Sequence, residues 1–98
     1  MLATLLTLAV SLPAAPQDPA RERLEASPRH HEWVELERGE RKLSCFVAYP
    51  EVAGKVPAVL VIHENKGLTD WVRSVADRLA EAGYIAIAPD LLSGAGPE

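Results

Sequence analysis

Two short apolar runs, Ala58–Ile62 (AVLVI) and Tyr84–Ala88 (YIAIA), constrain the fold more than anything else in the chain. A strand with one wet face alternates polar and apolar residues. A strand that is apolar at every position is buried on both faces, as in a parallel sheet. Between the runs lies a stretch with the signals of a helix. Thr69 is a good N-cap, because its hydroxyl can accept an orphan N–H of the first turn, and Asp70 favours the positive helix end. Val72, Val75, Ala76, Leu79 and Ala82 follow the i, i+3, i+4, i+7 spacing of an apolar face, with Arg73, Ser74, Asp77, Arg78 and Glu81 on the other side. Gly83 stands where a left-handed residue is wanted to end the helix. The pattern predicts a strand–helix–strand unit with a right-handed crossover.

Upstream, His31–Glu37 partly alternates and contains the β-formers Trp33 and Val34. Arg38-Gly39-Glu40 reads as a turn and Leu43–Tyr49 as a second strand, so the two form a hairpin. Pro50–Pro57 is a loop fenced by prolines. The fold class is therefore α/β, a β-hairpin followed by a β-α-β unit of a mostly parallel sheet. Such a sheet needs cover on both faces, and one good helix covers one. About seventy structured residues with a half-covered sheet are marginal in stability. After Pro89-Asp90 the chain ends in a loop, Leu91–Glu98. The expectation is the N-terminal part of a larger domain, truncated at its C-terminus.

Met1–Gln17 contains no charged side chain, and Leu2–Leu12 is apolar apart from Thr4, Thr7 and Ser11. As a helix this run would span roughly 16 Å, about half a bilayer core, which suits the apolar region of a secretory signal better than a membrane span. Small residues follow (Pro13-Ala14-Ala15-Pro16), although a basic residue before the run and a clean Ala-x-Ala are both missing. The expected organisation is a signal peptide over 1–17, a spacer over 18–29 and the domain from 30 to 98. The product would be exported to the periplasm or the exterior, with no membrane span in its mature form. A tethered form and a cytoplasmic protein with an apolar tail are the alternatives. Asp18–Ser27 is charged and Ala-rich, and reads as solvated chain with at most one turn of helix. A net charge of −4 without a Lys/Arg cluster argues against a nucleic-acid surface. A single cysteine, Cys45, excludes a disulfide framework and a multi-cysteine metal site.

Ala58–Ser93 resembles the dienelactone hydrolase family of α/β hydrolases. The residues that carry the resemblance are VIHENKGL at 61–68, the helix after them, and AGYIAIAPDLL at 82–92, with Tyr49-Pro50 closing the preceding hairpin. The resemblance covers about two thirds of the chain but only the first part of a family domain. It implies a mostly parallel eight-stranded sheet and hydrolysis of a lactone or ester bond in a small-molecule substrate, without a cofactor. It also implies a cysteine nucleophile on a sharp strand-to-helix turn, completed by an aspartate and a histidine, all beyond Glu98. No Gly-x-Cys-x-Gly or Gly-x-Ser-x-Gly occurs in these residues. Lys66 departs mildly from the family, leaving the subfamily and substrate open.

Two catalytic candidates follow. Glu64 stands just past the carboxyl end of a buried strand, where ligands bind in open α/β sheets. By the resemblance it is the glutamate that contacts the nucleophilic thiol and helps form the thiolate. Asn65 is in the loop that supplies one backbone N–H of the oxyanion hole in such folds. His63 is expected to pack or anchor the loop, because the family's base comes later in the chain. Adjacent histidines in a strand point to opposite faces, so His30-His31 is not expected to bind a metal. Cys45 reads as a small buried hydrophobe. Asp90 reads as a turn former, and Gly67 as a turn glycine. The absence of Gly-x-Gly-x-x-Gly counts against a dinucleotide site. The rival readings are a catalytically silent fragment and a small binding module that pairs through its open sheet edge.

Overall fold

The computed structural model describes residues 18–93 and, before them, residues 3, 4, 7 and 9. The apolar run at Leu2–Leu12 is otherwise outside the described residues, as are 94–98. The elements, in order, are α1 (Pro19–Ala26), β1 (His31–Arg38), β2 (Arg41–Ala48), β3 (Ala58–Leu60), α2 (Asp70–Glu81) and β4 (Ile85–Pro89). They build one sheet of order β1-β2-β4-β3. β1 and β2 form the expected hairpin, pairing from His31 opposite Ala48 to Arg38 opposite Arg41. Its two-residue turn, Gly39-Glu40, is possible because Gly39 adopts φ +61°. β3 and β4 are parallel neighbours joined through α2, which is the β-α-β unit, and β4 pairs antiparallel with β2. The sheet is thus mixed, the hairpin having joined the parallel pair along β4.

α2 begins and ends as its residues dictate. The Thr69 hydroxyl accepts the Val72 N–H at 3.4 Å. At the other end Gly83 turns to φ +104°. Its N–H then reaches the Ala80 carbonyl at 3.0 Å, and that of Tyr84 reaches the Leu79 carbonyl at 3.1 Å. This pair of bonds satisfies carbonyls that the helix would otherwise leave orphaned. α2 lies against the sheet through small side chains: Ala76 and Ala80 meet Phe46, Ala48, Ala86 and Ala88 in the core. Alanine on both sides lets helix and strands approach closely.

The buried stripe of α2 is rotated from the expected one. Ser74 and Asp77, expected on the solvent side, are 1% and 0% exposed, whereas Ala82 is exposed. The cause is α1, which has two turns of helix where at most one was expected. Asp18 caps it, its Oδ1 accepting the Ala20 N–H at 3.0 Å. Ala20 is buried and Leu24 packs on the core, so this segment covers the flank of α2 that carries Asp77.

Asp77 is the centre of that contact. Oδ1 accepts from the Ser27 hydroxyl at 2.5 Å and from Arg29 Nε at 2.9 Å, and lies 2.8 Å from His31 Nε2. Oδ2 accepts from a second Arg29 nitrogen at 2.8 Å. Arg29 is itself buried, its side chain 7% exposed. Burial alone would raise the Asp77 carboxyl's pKa. The hydrogen bonds from Arg29, Ser27 and His31, with the Arg29 charge, outweigh it and hold the group well below the usual carboxylate range.

Both helices lie on one side of the sheet. On the other side Leu36, Leu60 and Ile62 are 52%, 62% and 57% exposed. β3 was expected to be buried on both faces. Among the described residues it is an edge strand covered on one, which accounts for its exposed Leu60.

Candidate active site

The loop from His63 to Thr69 leaves the carboxyl end of β3 and enters the first turn of α2. Its path is set by a tight turn. The Glu64 carbonyl accepts the Gly67 N–H at 3.1 Å, and the Gly67 carbonyl accepts that of Thr69 at 3.0 Å. Gly67 is buried at φ +83°, and a Cβ there would stand 3.0 Å from Leu92 Cδ1. The positive φ favours glycine, as expected of a turn glycine, and a Cβ would also make the Leu92 side chain shift by a few tenths of an ångström.

His63 anchors this loop to the one after β4. Its side chain is 4% exposed, with Nε2 accepting the Leu91 N–H at 2.8 Å. A backbone N–H can only donate, so Nε2 carries no proton and the ring proton is on Nδ1. Nδ1–H then donates to the Glu64 carbonyl at 2.6 Å. Asp90 shapes the second loop as expected. Its Oδ1 accepts the Leu92 N–H at 3.1 Å, and its carbonyl accepts the Ser93 N–H at 3.0 Å. His63 therefore has the loop-anchoring geometry expected of it.

The first of these loops borders a cleft of about 700 Å³, lined by Glu64, Lys66, Val61, Ile62, Trp71 and Val75 among others. Its lining combines apolar side chains with the charged residues Asp18, Glu64, Lys66 and Asp70. The Glu64 carboxylate is exposed and makes no hydrogen bond or ion pair among the described residues. The Asn65 N–H is likewise unpaired among them. The two sequence candidates are thus consecutive in one loop at the strand end, Glu64 on the cleft wall.

Other candidates stand apart from the cleft. Cys45 is buried in β2 at 3% exposure, opposite Val34 and Pro89, and burial pushes its thiol pKa up. His30 Nε2 lies 2.7 Å from Glu32 Oε1, whereas His31 points to Asp77. Among the described residues, no three His, Cys, Asp or Glu are grouped to hold a metal ion. The Ser27–Arg29–His31–Asp77 network was not read from the sequence. The only local signal is an aspartate flanked by Ala76 and Ala80 on the helix face that meets the sheet.

A strand followed four residues on by a glutamate, a glycine turn, a capped helix and a second strand closed by Pro-Asp stand in one geometry. The dienelactone hydrolase family model matches residues 43–98, more than half of the chain. The chain belongs to the dienelactone hydrolase family. It is 56% identical over 59 residues to the "Putative hydrolase fragment YghX" of Escherichia coli (strain K12), covering 59% of this chain and 50% of that protein. It is 41% identical over 64 residues to a "Putative carboxymethylenebutenolidase" of Aquifex aeolicus (strain VF5), 62% of this chain and 27% of that one. A Synechocystis protein with the same name is 36% identical over 56 residues, 57% of this chain and 23% of that one. The chain thus spans half the length of the first relative and about a quarter of the other two.

Proposed function

We propose that the whole protein hydrolyses a lactone or ester bond of a small molecule, with Glu64 as the carboxylate that draws the proton from the nucleophile and the Asn65 N–H as one oxyanion donor. The carrying observation is the unpaired Glu64 carboxylate on the cleft wall at the carboxyl end of β3. Two relatives named for carboxymethylenebutenolide hydrolysis support a lactone as the substrate class. A cysteine at its free pKa of about 8.5 is mostly thiol at neutral pH and needs a base to become the nucleophile. Glu64→Gln keeps shape and hydrogen bonding but removes that base. In the whole protein kcat/KM should fall roughly 10²-fold or more, the usual size of a general-base contribution. Asn65→Ala should cost far less, because the proposed donor is its backbone N–H. Should Glu64→Gln retain activity within a few-fold of wild type, with its fold intact, the site is wrongly assigned.

The apolar run Leu2–Leu12 supports export of the protein. Replacing Leu6 with arginine should then leave the product in the cytoplasm. Mass spectrometry that finds Met1 retained on soluble cytoplasmic wild-type protein would remove the signal-peptide reading.

A further inference from the structure

We propose that His63 is a positioning residue for the oxyanion hole, holding the peptide between Glu64 and Asn65 in the orientation that leaves the Asn65 N–H available. The proposal rests on the functional reading above and deepens it. The Glu64 carbonyl and the Asn65 N–H belong to one planar trans peptide, so they point in opposite directions. Fixing the carbonyl fixes the N–H. His63 Nδ1–H donates to that carbonyl at 2.6 Å, and the Gly67 N–H donates at 3.1 Å. The tautomer that makes the first bond is set from the far side of the ring, where Nε2 accepts the Leu91 N–H at 2.8 Å. With the side chain 4% exposed, water does not compete freely for either nitrogen.

The alternative orientation of this peptide is penalised at both ends. A flip would turn the Glu64 carbonyl toward the side now presented by the Asn65 N–H, where negative charge would develop in the reaction. It would also leave the buried Nδ1–H of His63 without an acceptor. The loop thus reads the loop after β4 through one imidazole: the Leu91 N–H sets the tautomer, the tautomer sets the carbonyl, and the carbonyl sets the oxyanion donor.

Two substitutions separate the two ends of the ring. In His63→Asn the side-chain amide can place an N–H where Nδ1–H was and keep the bond to Glu64. His63→Gln reaches toward Leu91 instead and loses the bond to Glu64. Loss of an oxyanion donor costs about 10²- to 10³-fold in kcat, and Gly67 still holds the carbonyl in part, so His63→Gln should lower kcat about ten- to a hundredfold. His63→Asn should stay within about threefold of wild type, and KM should change little in either variant. In the wild-type protein, imidazole ¹⁵N NMR should show His63 protonated at Nδ1. Equal losses in both variants, His63→Gln at wild-type kcat, or an Nε2-protonated ring would each overturn the proposal. Glu64→Gln measured alongside separates the two readings: if it is inactive while His63→Gln is unaffected, only the role of His63 fails. If Glu64→Gln is itself unaffected, the assignment of the site fails, while the tautomer still reports on the His63 geometry.

Discussion

Asp77→Ala should cost the protein about 3–5 kcal/mol at neutral pH, the usual penalty for removing one partner of a buried ion pair. Asp77 has no exposed surface, and it is the acceptor for Ser27, both Arg29 nitrogens and His31. Truncation leaves the buried Arg29 guanidinium with only the rim carboxylates Glu51 at 3.3 Å and Glu81 at 3.5 Å. The damage should be local first. α1 is held against α2 by this network, by Arg23, whose Nε lies 3.3 Å from Asp77 Oδ2 and whose terminal nitrogen pairs with Glu81, and by the apolar contacts of Ala20 and Leu24. Trypsin should therefore cut at Arg21 and Arg23 faster in the variant. Arg29→Met combined with Asp77→Leu should recover part of the loss, because it removes the buried Arg29 charge instead of stranding it, while Arg23 keeps its pair with Glu81. The pH dependence has a definite sign. The folded-state pKa of Asp77 is depressed, so its stabilisation is fully present above the unfolded value and is lost as the pH falls below it. Wild-type stability should therefore decline as acid takes the pH below the ordinary aspartate value of 3.8, and the Asp77→Ala difference should shrink there. Urea unfolding at neutral pH checks the first claim; a variant within about 0.5 kcal/mol of wild type would leave the network with no role in stability.

The contrast between the loop and this network shows which features a sequence exposes. The β-α-β unit and the Glu64 loop are legible because their causes are local. An apolar run sets the strand, Thr69 caps the helix three residues from Val72, and Gly67 and Gly83 stand where the backbone needs positive φ. The Asp77 network depends on partners 46 to 50 positions away. Helical periodicity assigns an aspartate to solvent, and nothing near Asp77 says that Arg29 will neutralise it. The second turn of α1 escapes the sequence for the same reason: its apolar stripe is Ala20 and Leu24 alone, too narrow to register until α2 is present to cover it. His63 lies between these cases. A loop-anchoring role could be read from its position, but the tautomer could not, since it is set by a backbone N–H 28 residues away.

Residues 1–98 by themselves should hydrolyse p-nitrophenyl acetate no faster than background, at least about 10³-fold below the whole protein, because triad catalysis collapses by several orders of magnitude when a member is lost. Two sets among the described residues have the side chains of a triad. In Ser93, His63 and Asp90 the hydroxyl donates to the Asp90 carbonyl and His63 Nε2 is taken by the Leu91 N–H. In Ser27, His31 and Asp77 the geometry is equally wrong for the task. Ser27 and His31 both reach the same oxygen of Asp77, so the hydroxyl donates to the carboxylate and not to the imidazole. An activated serine needs the opposite order, with the hydroxyl on the base and the base on the carboxylate. The Asp77 oxygens are also engaged by Arg29, inside a structural contact and away from the cleft. Cys45 fares no better. It is a thiol at 3% exposure in mid-strand, and burial raises its pKa, whereas nucleophilic attack needs the thiolate and access to substrate. Ser74 is buried with its hydroxyl on the Trp71 carbonyl, and the Ser93 hydroxyl donates to the carbonyl of Asp90. The assay should include Cys45→Ser and Ser27→Ala versions of the same polypeptide, with circular dichroism to verify folding. Turnover in the parent polypeptide that either substitution abolishes would locate the nucleophile within these residues and overturn the expectation.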